Sequence, residues 1–169
     1  MQDTELFLSL AEIAGVFIGF AALIAVRSGS PTGAGEIMGI RWLVSVAMWV
    51  VVAALAPVIV SRYGLAVHEI WLVCSLAALA MWVALAVVTG RSPEYRQDVA
   101  ATSRARVVGE EAIGALFYVP MVVALIVIVL GPVPDQEPAL HFTAVALGLF
   151  IAAYMLLGLV FAQRRPESA

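Results

Sequence analysis

Five stretches of the chain, at about residues 5–26, 41–61, 68–90, 112–131 and 139–163, are almost continuously apolar, and short polar segments interrupt them. Each is close to the roughly 20 residues that carry an α-helix across a hydrocarbon core about 30 Å thick, at about 1.5 Å of rise per residue. The pattern predicts an all-α integral membrane bundle of five transmembrane helices, forming a single membrane domain over residues 1–169. The breaks are SGSPTGAGEIMG (28–39), RYGLAVHE (62–69), the longer polar segment 91–111 and the proline-bounded turn GPVPDQEP (131–138).

Composition agrees with that reading, since 63% of the 169 residues are hydrophobic and 12% are charged. A soluble domain has roughly 45–50% apolar and 25% charged residues. No polar segment is long enough to build a separate soluble domain, so any chemistry is expected at membrane depth or at the two surfaces. Cys74 stands alone in the third span, which rules out an intramolecular disulfide.

The formal net charge of −3 matters less than where the charges lie. All nine basic residues are arginine, and with the N-terminus outside, eight of them (Arg27, Arg41, Arg91, Arg96, Arg104, Arg106, Arg164 and Arg165) fall on the cytoplasmic side. Only Arg62 falls outside, together with the acidic start of the chain and the turn bearing Asp135 and Glu137. This predicts an N-terminus outside and a C-terminus in the cytoplasm of a multi-pass inner (plasma) membrane protein. Met1-Gln2-Asp3-Thr4-Glu5 lacks the positive start of a cleaved signal peptide, so the first span is expected to be retained.

The first span, LAEIAGVFIG at its outer half, carries the charge that most needs explaining. Glu12 lies about 6 Å from the midplane, where an ionised carboxylate costs roughly 2.5–3.5 kcal/mol on insertion scales. On a helical wheel Glu5, Glu12, Gly15, Gly19 and Ala22 share one arc, with Leu8 and Val26 at its edge. The glycines Gly15 and Gly19 are four apart, the spacing that lets a second helix approach the backbone closely. Glu12 is therefore expected to face protein and to serve as a proton or small-cation binding group. The competing expectation is a packing role in which it bonds Ser45, Ser75, Tyr118 or Tyr154. The segment Leu10-Ala11-Glu12-Ile13-Ala14-Gly15 resembles the first-helix pattern of small multidrug resistance transporters. That resemblance covers six residues and implies a carboxylate that binds protons or a cationic drug; those transporters have four spans, and the family is not assigned.

Other residues are secondary candidates. His68, Glu69 and His141 are expected at the outer ends of the third and fifth spans, as water-satisfied interfacial side chains, a pH-responsive pair or metal ligands. No metal and no cofactor is assigned. Arg91, Arg96, Arg104 and Arg106 are candidates for lipid headgroups, and Ser92-Pro93-Glu94 predicts a helix N-cap inside the loop. Pro57 and Pro120 are expected to bend the second and fourth spans.

No nucleophile set, phosphate loop or basic-aromatic surface stands out, so neither an enzyme nor a nucleic-acid binder is expected. Without internal repeats, a symmetric pathway would have to come from subunit association. The expected protein is a homo-oligomeric channel or transporter for a proton or small cation, in contact with the lipid bilayer. The alternative is a non-transporting accessory or scaffold subunit that docks through its first helix.

Overall fold

The computed structural model describes residues 2–27, 34–93, 95–97 and 104–162. It is all-helical, with α1 (Gln2–Arg27), α2 (Ala34–Val60), α3 (Val67–Arg91), α4 (Arg104–Leu130) and α5 (Glu137–Ala162). Single 3-10 turns at Ser61–Tyr63 and Pro134–Gln136 lead out of α2 and into α5. Five segments are long and apolar enough to cross a membrane: Thr4–Val26, Ile37–Tyr63, Val67–Arg91, Ala112–Leu130 and Pro134–Phe161. The chain is thus a multi-pass membrane protein.

Its helices are longer than the apolar runs. Helix α4 begins at Arg104, so the backbone of Arg104 and Arg106 is helical while their side chains lie outside the described residues. Ser92 ends α3 and starts the next helical segment: its Oγ accepts the Tyr95 N–H at 3.3 Å, the expected N-cap, and Pro93 and 95–97 are helical. Residues 98–103 lie outside the described residues. Gly64 and Gly131 stop α2's 3-10 turn and α4 with φ near +70° (71° and 69°), a conformation that glycine adopts without a steric penalty.

Helix α2 is the centre of the bundle, 44% of its most apolar window being buried against 17–28% for the other spans. It packs on α1, α3 and α5, while α4 is held by α3 and α5. The interior is filled by Leu43, Val46, Trp49 and Val50 of α2, Met121, Leu125 and Ile128 of α4, and Val145 of α5, all fully buried. Trp49 is anchored as well as packed: its indole Nε1–H donates to the Ala78 carbonyl of α3 at 2.8 Å, and its ring meets Trp82 edge-on at 5.5 Å. Gly148 of α5 makes room for that indole.

Both internal prolines leave their helices continuous. At Pro57 the missing N–H frees the carbonyl of Ala53, four residues earlier in α2. That carbonyl is the starting point of the polar site described next.

Candidate functional site

An unpaired backbone carbonyl inside a membrane bundle needs a donor from elsewhere. His141 supplies it: its Nε2 lies 3.0 Å from Ala53 O, and the residue is completely buried. Because a carbonyl only accepts, Nε2 carries the proton and Nδ1 presents its lone pair. Ser75 Oγ, 3.2 Å from Nδ1 and likewise buried, donates to it. The imidazole is further enclosed by Phe7 of α1 and Trp71 of α3, with ring centroids 5.9 and 5.5 Å away. One side chain of α5 therefore ties α1, α2 and α3 together.

A second polar contact sits one turn closer to the helix ends. His68 Nδ1 lies 2.6 Å from Glu137 Oε1, with Glu137 only 1% exposed and the His68 side chain half exposed. The carboxylate accepts and the imidazole Nδ1–H donates. Glu137 and His141 are four residues apart on α5, and His68 and Ser75 seven apart on α3, so each pair shares a helix face. The two contacts form consecutive rungs between α3 and α5. Glu137 opens α5, where its negative charge complements the positive end of the helix dipole. Glu69 has a different role, accepting the Ala66 N–H at 3.1 Å and capping its own helix.

These contacts revise the sequence reading of the histidines. His141 is not an interfacial side chain satisfied by water; it is sealed in the core by protein groups. His68, Glu69 and His141 do not converge, and among the described residues no three His, Cys, Asp or Glu side chains are grouped to hold a metal ion. Glu137 was missed because the proline-bounded turn looked like a loop that ended beyond it. The available signal was the i, i+4 spacing of Glu137 to His141 set against the i, i+7 spacing of His68 to Ser75.

Glu12 is placed quite differently. Helix α1 turns Phe7, Leu10, Ala14 and Ala21 into the bundle, and the whole stripe Glu5, Leu8, Glu12, Gly15, Gly19, Ala22 and Val26 faces outward. The expectation that Glu12 packs against protein is not met within the single chain. Nor do Gly15 and Gly19 form an internal seam, since an added Cβ at either would meet nothing within 4 Å. The face of α1 that carries Phe7 is the one packed into the bundle, where the Phe7 ring meets Trp71 and Phe142. None of the suggested packing partners reaches Glu12: Ser45 donates to Arg41 O at 2.8 Å, Ser75 serves His141, and Tyr118 and Tyr154 are exposed on other helices.

Of the four arginines suggested for lipid headgroups, Arg91 and Arg96 are exposed at the end of the bundle opposite the histidines. Comparison with known protein families, curated proteins and solved structures finds no match to this chain.

Proposed function

We propose that this protein is a subunit of a homo-oligomeric membrane assembly in which α1 of one copy meets α1 of another, and that Glu12 in the resulting seam binds a proton or small cation in transit. The observation that carries the reading is the outward position of Glu12, without a partner among the described residues, on a face opened by Gly15 and Gly19. A carboxylate at this depth is costly against lipid tails, and a second helix lying on the two glycines would cover it. The filled interior of the single chain favours a pathway between copies over one through its centre. The arginine distribution supports an orientation with the N-terminus outside and an inner (plasma) membrane location.

The test is proton or cation flux in liposomes containing the purified protein, comparing wild type with Glu12→Gln. Abolished flux in a variant that keeps its oligomeric state supports the proposal, and unchanged flux refutes it. The open space at Gly15 and Gly19 also suits a second reading, an accessory subunit that uses this face to dock. In that case Gly15→Leu changes assembly while Glu12→Gln is silent.

A further inference from the structure

At the end of the bundle away from the histidines, α2 and α3 part to leave a cavity of about 90 Å³. Arg41, Trp42 and Ser45 line one wall, and Leu85, Thr89 and Ser92 the other. Arg41 lies four residues into the Ile37–Tyr63 span, and Thr89 belongs to the last turn of the Val67–Arg91 span. The cavity therefore opens at the depth of lipid headgroups.

Among the described residues its charge is one-sided. Arg41 has no carboxylate partner among the described residues. The charged described side chains at this end are Arg41, Arg91 and Arg96, all basic. Ser45 donates its proton to Arg41 O and Ser92 to Thr89 O, each at 2.8 Å, which leaves the guanidinium and the Thr89 hydroxyl as donors to an occupant. A space of about 90 Å³ is on the scale of a phosphate group. The planar fork of arginine fits two phosphate oxygens at once.

We propose that this cavity binds an anionic phosphate group, presented by a lipid headgroup or as free phosphate, with Arg41 as its principal ligand. Arg41 is not among the arginines suggested by sequence for lipid headgroups, and the site does not involve Glu12. It would hold α2 and α3 at a fixed depth in the bilayer.

Native mass spectrometry of the detergent-solubilised full chain tests this with three probes: phosphatidylglycerol, a galactosyl diacylglycerol lacking phosphate, and inorganic phosphate. Wild type is expected to bind phosphatidylglycerol saturably and at least about tenfold more tightly than Arg41→Gln, with Arg41→Lys intermediate because it retains charge without the fork. Arg62→Gln, exposed at the opposite end of the bundle, should stay within about twofold of wild type, and the sugar lipid should be indifferent to Arg41→Gln. Inorganic phosphate that competes in an Arg41-dependent manner identifies free phosphate as an occupant; phosphate without effect assigns the cavity to the lipid. The proposal is overturned if Arg41→Gln leaves phosphatidylglycerol binding unchanged, if Arg62→Gln weakens it equally, or if wild type binds neither phosphatidylglycerol nor phosphate.

Discussion

Replacing Gly148 by alanine adds one methyl group at the tightest crossing in the bundle. An ideal Cβ there lies 2.5 Å from Trp49 Cζ3, 3.0 Å from Cε3 and 3.2 Å from Val50 Cγ2. Carbon atoms pack best at about 3.5–4.0 Å, so the first contact is short by about 1 Å. The indole has nowhere to go: Trp49 is fully buried, its N–H is held by Ala78 O at 2.8 Å, and Trp82 stands against its ring. Either α5 moves away from α2 or the ring rotates and breaks its hydrogen bond. Over-packing costs about 1–3 kcal/mol and the lost bond about 1, while alanine returns roughly 1 kcal/mol of helix propensity. The expected net destabilisation is about 2 kcal/mol, roughly a thirtyfold change in the folded-to-unfolded ratio. Gly158 on the same helix is the control, because nothing lies within 4 Å of its added Cβ. Unfolding in mixed micelles of rising SDS fraction, followed by tryptophan fluorescence and circular dichroism, should separate the two variants. Stabilities of Gly148→Ala and Gly158→Ala that agree within about 0.5 kcal/mol would refute the account of how α5 seats on Trp49.

Further outcomes are expected from the polar rungs and from α1. His141→Leu orphans the Ala53 carbonyl and should cost about 1–3 kcal/mol; Pro57→Ala restores a helical N–H to that carbonyl, so the double variant should recover about 1 kcal/mol, whereas strict additivity would contradict the pairing. His68→Ala leaves the buried Glu137 without its imidazole and should destabilise by about 1–3 kcal/mol, with much of the loss regained when Glu137 is also replaced by leucine. A hydrophobic carbodiimide should label Glu12 in a pH-dependent manner, since the reagent attacks the neutral acid, and labelling that does not vary with pH would remove the proton-binding role. A cysteine at Gln136 should react with an impermeant thiol reagent applied from outside and one at Ser103 should not; the opposite pattern would reverse the proposed orientation.

The helices and the polar sites differ in how far they could be read from the chain. The five spans were legible because hydrophobic length is a local property: each apolar run must form its own backbone hydrogen bonds in lipid, whatever its neighbours do. The Ser92 cap was legible for the same reason, its partner being three residues away. Helix boundaries were less so, since the polar residues of 104–111 continue α4 at no cost once they leave the hydrocarbon. The stripe on α1 was also visible as a stripe. Which way it faces was not, because that depends on whether α2 and α5 find a better fit in Phe7, Leu10 and Ala14 than in Gly15 and Gly19.

The sequence by itself determined that this is a five-span helical membrane protein, that one carboxylate lies deep in the first span, and that two glycines share its face. Tertiary structure alone decided that the carboxylate points away from its own bundle. It also decided that Pro57, His141 and Ser75 form one hydrogen-bonded unit and that Glu137 belongs with His68. Within each of these two groups the members lie between 18 and 84 positions apart, as from Pro57 to Ser75 and to His141. Only the packing of α2, α3 and α5 brings a carbonyl that proline leaves unpaired within reach of a donor on another helix.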